Sequence, residues 1–302
     1  MDEQMQGNSV NSTTSGKNGI VRALVALVLF VVYYNVMTMV GSLVAEATKL
    51  SPMYAIYGVR CAFALVAFVA LGGRRYLRLD LQAIRNSVRL AWPIIALNLV
   101  LCLAVFGFRA YQQFAGVAEK PFDLTSFLGN AALLLALCAM VGIDEELGLR
   151  GLAFGGLLAC LGKKRWGIML AAVLSSLLFG YLHVAADLSK VATTPQALQA
   201  AMKTLQSAQF GFILCAAVLT THNIVGAMIT HCLGDWLLYV CTVALSGSSV
   251  GGTSYVSSEA STSYVVIAVF AVQCLILLPA TIKAFKKLRR LEPPQLGPFM
   301  ES

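Results

Sequence analysis

The stretch Ala132–Leu161, ALLLALCAMVGIDEELGLRGLAFGGLLACL, places three consecutive acids and an arginine between two apolar runs. An ionisable side chain at the centre of a membrane span costs about 2.5–3.5 kcal/mol on insertion scales. Asp144, Glu145, Glu146 and Arg150 therefore predict a functional cluster inside the membrane. The alternative is that the acids mark an interfacial break between two half-helices.

The composition is that of an integral membrane protein. Hydrophobic residues make up 58% of the 302 positions, charged residues only 12%, and the mean hydropathy is +0.77. The prediction is an all-α, polytopic membrane helical bundle with about eight transmembrane helices, because a soluble bundle would expose too much apolar surface. The apolar segments run roughly over 20–43, 52–72, 91–109, 126–143 continuing past the acids to 161, 166–186, 206–221, 224–246 and 264–283.

The lysines and arginines predict the orientation of the bundle. Most of the 22 lie in the N-terminal tail and in the stretches GGRRYLRLDLQAIRNSVR, GKKRWG and TIKAFKKLRR. Such a bias is typical of cytoplasmic loops and places both termini in the cytoplasm. The stretch DLSKVATTPQALQAAMKTLQS, with Lys190 and Lys203, is then expected to face outward. The net charge of +8 is explained by this distribution and requires no nucleic-acid partner.

Helical spacing assigns different roles to the adjacent acids. Glu146 and Arg150 are four residues apart, acid first, which favours an ion pair on one helix face. Glu145 is turned about 100° away and is left free to act as a base. Gly151 and Gly155 give the small-residue spacing that lets two helices approach closely.

Two of the three histidines lie in apolar segments. His183 and Glu145 are each nineteen residues from Lys164 at the turn of a helical hairpin, and so lie at matching depth. A carboxylate facing an imidazole in a dry pocket can deprotonate water. His231, four residues before Asp235, could hold an oxyanion or complete a metal site with it.

His222 and the depth of His231 complete the histidine analysis. His222, in the turn TTHN, is interpreted as a solvated turn residue. His231 is only about 12 Å along its helix from that turn, which requires tilt, an unwound segment or a different span count.

Four further features of the sequence can be interpreted: Arg60, Asp187, Asp144 and the cysteines. Arg60 is either a structural cation paired with an acid or a site for a peptide's terminal carboxylate. Asp187 either orients His183 or faces the outer loop, and Asp144 is expected to be a helix cap or a solvated boundary acid. The eight cysteines are interpreted as small buried hydrophobes, with no disulfide framework or zinc knuckle.

Three motifs in order resemble a known family. EELGLR fits EExxxR, FGYLH fits FxxxH and HCLGD fits HxxxN/D, over roughly 131–245. The chain resembles the CAAX-protease and bacteriocin-processing family (CPBP, or Abi) of intramembrane proteases, related to the type II prenyl endopeptidases. The domains expected are a polar cytoplasmic tail at 1–19, a transmembrane domain at 20–285 with a protease-like core at about 126–246, and a basic cytoplasmic tail at 286–302.

The resemblance implies a role for each motif residue. Glu145 would activate water beside His183, and His231 with Asp235 would stabilise the oxyanion. Glu146 and Arg150 would hold the scaffold.

The fourth motif position departs from the family pattern. It is often Asn in the family, and an ionised Asp235 would repel an oxyanion; it must be protonated, bind a metal or orient His231. Glu145, His183, His231 and Asp235 are accordingly also the expected ligands of zinc or another divalent metal. A metal-free glutamate mechanism remains the alternative.

The function expected is that of an intramembrane endopeptidase in a bacterial plasma membrane. Its partners would be the lipid bilayer and a membrane-anchored peptide or protein substrate, processed in the CAAX or bacteriocin manner. The alternatives are a non-catalytic bacteriocin-immunity or scaffold protein of the same fold, and a proton-coupled transporter that uses the same ionisable groups as a relay.

Overall fold

The apolar segments of the sequence become long helices in the computed structural model. It describes residues 10–117, 122–244, 254–257, 259–295 and 297–299. Within those residues, eight helical segments are long and apolar enough to cross a membrane. The predicted all-α bundle of about eight spans is therefore confirmed.

Nine α-helices and four short π or 3-10 segments make up these spans and their connections in the described ranges. The first α-helix begins inside the predicted polar tail, and residues 1–9 lie outside the described residues. The α-helices are α1 (Val10–Thr48), α2 (Pro52–Ala70), α3 (Leu81–Phe114), α4 (Leu124–Glu145), α5 (Gly155–Leu161), α6 (Arg165–Val184), α7 (Thr194–Thr221), α8 (Val225–Tyr239) and α9 (Ala260–Arg289). The π-helical segments are Glu146–Phe154 and Val240–Ala244, and the 3-10 segments are Gly73–Leu77 and Ala185–Lys190.

The acidic stretch lies inside one continuous span. The π-helical segment Glu146–Phe154 joins α4 directly to α5, so that the span runs over Leu124–Leu161. The alternative of an interfacial break between two half-helices is therefore wrong. Isolated π-helical segments inside α-helices occur frequently at functional sites.

Glycines let other elements approach this central span closely. A Cβ atom on Gly148 would lie 2.4 Å from the ring of Tyr33 in α1, and one on Gly156 would lie 3.1 Å from the Ala23 carbonyl of the same helix. The predicted close approach at Gly151 and Gly155 is made by aromatic rings instead of a helix backbone: the nearest atoms belong to Phe68 and Phe299.

Helix α7 is longer than the sequence predicted. Residues 194–207, from the stretch that was expected to face outward, form its first half, and Lys203 is only 8% exposed. The low hydropathy of this half misled the prediction, because its polar groups are satisfied inside the protein. Gln199 Nε2, for example, donates to the Tyr255 carbonyl at 2.6 Å.

The end of the chain folds back onto the bundle. Within the predicted basic cytoplasmic tail at 286–302, the Gln295 backbone amide donates to the Gly162 carbonyl at 2.9 Å. Phe299 is 1% exposed and packs edge-on against Phe68, with ring centroids 5.8 Å apart. The apolar residues that follow Arg289 therefore bind in a groove of the protein.

Candidate active site

The three consecutive acids differ in their exposure and in their neighbours. Asp144 and Glu146 are completely buried, whereas the Glu145 side chain keeps 19% of its surface exposed. Asp144 faces α2, while Glu145 and Glu146 both face His231 on α8. The change from α-helix to π-helix occurs between Glu145 and Glu146.

Glu146 is fixed by a cation and an imidazole. Its Oε1 atom lies 3.0 Å from Arg150 Nη1 and 2.8 Å from His231 Nδ1. The Arg150 guanidinium also lies over the Phe179 ring, 4.3 Å from its centroid. The ion pair that the four-residue spacing predicted is therefore present. The Arg150 side chain is 1% exposed and that of Glu146 is 0% exposed.

Glu145 has a much looser environment. Its Oε2 atom lies 3.6 Å from His231 Nε2, which is longer than a hydrogen bond. This oxygen is buried and accepts no hydrogen bond from any described residue. Glu146 Oε2 is also buried without a hydrogen-bond partner, so Glu145 is set apart by its partial exposure and by the absence of a lysine or arginine within 4.0 Å among the described residues.

His231 stands at the centre of the acids. Asp235, one turn later on α8, approaches its Nε2 atom to 3.5 Å. The ring is 2% exposed and presents one nitrogen to Glu146 and the other to Glu145 and Asp235. Because a carboxylate can only accept, Nδ1 carries the hydrogen of the short contact with Glu146.

His183 and His231 both lie close to the Phe179 ring. The Phe179 ring centroid is 4.5 Å from that of His183 and 5.8 Å from that of His231. His183 Nδ1 lies 2.9 Å from the Phe179 carbonyl oxygen, so this nitrogen donates and Nε2 is left as the acceptor. No ion pair within 4.0 Å joins His183 to Glu145 in the part of the chain described, and the imidazole nearest to Glu145 is that of His231.

The mismatch in the depth of His231 has a structural cause. The turn before α8 is only partly exposed: His222 is exposed, whereas Asn223 and Ile224 are 1% and 0% exposed. The Asn223 side-chain amide donates to the Arg78 carbonyl at 2.7 Å, and the Ile224 backbone amide donates to the Tyr76 carbonyl at 2.9 Å. The segment around Gly73–Leu77 thus covers the turn, and α8 begins inside the protein.

Asp144 is neither a helix cap nor a solvated acid, so that prediction is wrong. It pairs with Arg60 across α2 and α4, Oδ2 to Nη2, at 2.9 Å. Arg60 also donates to the Tyr33 hydroxyl at 2.7 Å, which in turn donates to the Asp144 carbonyl at 3.0 Å. Of the two interpretations of Arg60, the structural cation paired with an acid is the one observed.

Asp187 and His222 lie apart from this cluster. Asp187 accepts hydrogen bonds from Lys190 Nζ at 2.7 Å and from the Tyr255 backbone amide at 2.5 Å. It therefore holds the residues around Tyr255 instead of orienting His183. His222 is exposed, as predicted for a turn residue, and its Nδ1 lies 3.0 Å from the Tyr76 hydroxyl.

The four expected metal ligands do not form a ligand set. Among the residues described, no three His, Cys, Asp or Glu side chains are arranged to hold a metal ion. His231 uses one ring nitrogen for Glu146, and His183 uses one for the Phe179 carbonyl. The geometry therefore does not fit the predicted metal centre.

Sequence reasoning missed three residues near the cluster. Tyr33 supports Asp144, while Tyr255 lies beside His183 with ring centroids 5.9 Å apart. Lys203 lies over the Tyr255 ring, 4.3 Å from its centroid. Lys203 alone left a signal in the sequence, as a single cation between the apolar and small residues of QALQAAMKTLQSAQFGF.

Comparison with known proteins identifies the segment that carries the cluster. Residues 127–237 match the family described as type II CAAX prenyl endopeptidase Rce1-like. The family prediction is thereby confirmed, and the chain carries an Rce1-like domain that includes Glu145, His183, His231 and Asp235. No curated protein and no solved structure matches the chain.

Proposed function

We propose that this protein, with its Rce1-like domain in a bundle of eight apolar helices, is an intramembrane endopeptidase of the CAAX type. One observation carries the proposal. The Glu145 side chain is 19% exposed and has no lysine or arginine within 4.0 Å among the described residues, and its Oε2 atom lies 3.6 Å from the imidazole of His231. Its neighbour Glu146 is already neutralised by Arg150, which leaves Glu145 as the base.

In the proposed reaction Glu145 activates water. Its carboxylate takes a proton from a water molecule, and the resulting hydroxide adds to the carbonyl carbon of the scissile peptide bond. The C–N bond then breaks, and the proton held by Glu145 passes to the leaving amine. A positioned general base of this kind contributes about 10²- to 10⁴-fold to the rate.

His231 is proposed to stabilise the oxyanion of the tetrahedral intermediate. Glu146 fixes the ring through Nδ1, so that Nε2 faces the space beside Glu145. In this role Nε2 carries a hydrogen, which faces the carboxylates of Glu145 and Asp235 before the substrate arrives. The contact of 3.5 Å supports the third alternative for Asp235, the orientation of His231.

His183 is proposed to position the substrate or the water. Its Nδ1 atom is held by the Phe179 carbonyl, so that Nε2 accepts a hydrogen bond. The Phe179 ring lies close to both histidines, with its centroid 4.5 Å from that of His183 and 5.8 Å from that of His231. His183 therefore acts on a group that only the substrate complex supplies.

The substrate class follows from the family and from the composition. We propose a membrane-anchored peptide or protein with a cysteine-aliphatic-aliphatic-X end, held by its lipid and by the apolar surface of the bundle. No metal step is included, since the donor geometry does not assemble three ligands. Metal analysis of active protein, with and without a chelator, tests that choice.

The deciding experiment is cleavage of a quenched fluorescent S-farnesyl peptide by purified protein in lipid nanodiscs. Wild-type protein is expected to cleave it, and Glu145→Gln and His183→Ala are expected to abolish cleavage while the thermal midpoint stays within about 2 °C of wild type. A folded Glu145→Gln variant that still cleaves would disprove the proposal. A peptide that binds to wild type without being cleaved would favour the non-catalytic scaffold.

A further inference from the structure

Three lysine or arginine side chains are buried among the described residues, and one of them differs from the other two. Arg60 has the carboxylate of Asp144 at 2.9 Å, and Arg150 has that of Glu146 at 3.0 Å. Lys203, which is 8% exposed, has no carboxylate within 4.0 Å in the described ranges. Its Nζ atom donates to Gln206 Oε1 at 3.1 Å.

The surroundings of Lys203 are aromatic. Its Nζ atom lies 4.3 Å from the centroid of the Tyr255 ring and 5.4 Å from that of Phe270. Aromatic faces attract an ammonium group, but they do not accept its three hydrogen bonds as a carboxylate does. A buried charge in a membrane span is costly, and such residues generally serve a ligand or a transport path.

Lys203 also borders the candidate active site. The Tyr255 ring that it covers lies 5.9 Å from the ring of His183, centroid to centroid. The Tyr255 hydroxyl lies 3.0 Å from that of Tyr239, which is two turns beyond His231 on α8. The cation therefore belongs to the same side of the bundle as the two histidines.

The helix register gives the spacing along α7 between Lys203 and Phe210, the residue that packs against His231. Phe210 lies 5.2 Å from His231 by ring centroids, and Lys203 is seven residues earlier on the same helix. Seven residues correspond to about 10 Å along an α-helix. An extended peptide advances about 3.3 Å per residue, so this separation corresponds to about three residues of substrate.

We propose that Lys203 is the carboxylate-binding residue of the active site, and that it binds an anionic group about three residues from the scissile bond of the peptide substrate. This inference rests on the proposed function. The chemistry required is a single carboxylate, from either the C-terminus of the peptide or an acidic side chain. Charge-assisted hydrogen bonds from the ammonium would bind it, with the aromatic rings excluding water.

The test compares two S-farnesyl-cysteine peptides with the same three aliphatic residues after the cysteine. One ends in a free carboxylate and the other in a carboxamide. Wild-type protein in nanodiscs is expected to show a KM for the carboxamide that is about tenfold higher, with kcat nearly equal. The variant Lys203→Met is expected to raise KM for the carboxylate peptide about tenfold and to leave the carboxamide peptide unchanged.

Two further variants separate a substrate contact from a structural role. Lys203→Arg keeps the charge and is expected to restore most of the preference for the carboxylate. Lys283→Met removes a lysine from an exposed position of α9 and is expected to change neither KM. An equal rise in KM for both peptides in Lys203→Met would overturn the inference, because the lysine would then act on the site itself.

A third peptide distinguishes the two sources of the carboxylate. It ends in a carboxamide and carries aspartate at the third position after the cysteine. If wild-type protein binds it as tightly as the carboxylate peptide, Lys203 binds anionic groups in general. If wild-type protein binds it weakly, Lys203 binds the C-terminal carboxylate. Either result supports an anion site.

A binding measurement keeps this inference separate from the proposed function. The labelled carboxylate peptide is titrated into Glu145→Gln protein and into the double variant Glu145→Gln, Lys203→Met, with fluorescence anisotropy as the signal. If wild type cleaved neither peptide, the proposed function would fail, yet about tenfold weaker binding to the double variant would still support Lys203. Equal binding to both proteins would overturn the role of Lys203.

Discussion

Glu145 and Glu146 are adjacent in the chain and have the same side chain, yet their environments are opposite. Glu146 is completely buried, 3.0 Å from a guanidinium and 2.8 Å from an imidazole. Glu145 is partly exposed, has no lysine or arginine within 4.0 Å among the residues described, and approaches His231 only to 3.6 Å. The comparison suggests that one carboxylate holds the site together and that the other is left available to react.

The largest expected effect is on catalysis, and it should fall on Glu145 alone. Glu145→Gln keeps the shape of the side chain but removes the base, so kcat is expected to fall about 10²- to 10⁴-fold. The thermal midpoint should stay within about 2 °C of wild type, because the lost carboxylate has no lysine or arginine within 4.0 Å among the described residues and approaches His231 only to 3.6 Å. A fall in stability as large as that of Glu146→Gln would remove the distinction between the two acids.

Glu146→Gln should show the reverse pattern, with the free energy of unfolding falling by about 3–5 kcal/mol. The variant leaves Arg150 buried without its carboxylate, and an uncompensated buried charge is strongly destabilising. Equilibrium unfolding in mixed detergent micelles measures the change. The double variant Glu146→Gln, Arg150→Met is the control, and it should recover part of the loss because the uncompensated cation is also removed.

A smaller effect is expected where α4 meets α8. A Cβ atom on Gly142 would lie 2.8 Å from the Met228 carbonyl, so Gly142→Ala should push apart the helices that carry the acids and His231. We expect a loss of about 1–3 kcal/mol in the free energy of unfolding, together with a lower kcat. Gly129→Ala on the same helix is the matched control, because its added Cβ would meet no described atom within 4 Å.

The smallest of these effects is expected at Tyr33. Tyr33→Phe removes the hydroxyl that accepts from Arg60 and donates to the Asp144 carbonyl, which should cost about 1–3 kcal/mol of unfolding free energy. The ion pair of Asp144 with Arg60 remains, so kcat should change by less than about twofold. Peptide cleavage assays and unfolding curves on the same preparation test both values. A loss of kcat comparable with that of Glu145→Gln would place Asp144 in the reaction.

Much of this site could be predicted from local sequence. The pair of Glu146 with Arg150 follows from a spacing of four residues, and the order of the spans follows from apolar runs of sufficient length. Each of these features is set by residues close together in the chain.

The features that the sequence missed depend on distant segments. Arg60 lies far from Asp144 in the chain, and no local pattern indicates their contact. The first half of α7 was expected to face outward because it is polar. In the structure its glutamines are satisfied by residues around Tyr255, which lie far away in the chain. Matching depth placed His183 beside Glu145, but depth does not fix the direction in which a side chain points around its helix.

The π-helical segment Glu146–Phe154 has a consequence for how this gene can vary. It contains nine residues, with Glu146 at one end and Gly155 directly after the other. Removal of a single codon there would rotate everything downstream by about 100° relative to the acids. The glycines that receive Phe68 and Phe299 would then turn away from those rings. Substitutions in this stretch are therefore expected to be tolerated more often than any change in its length.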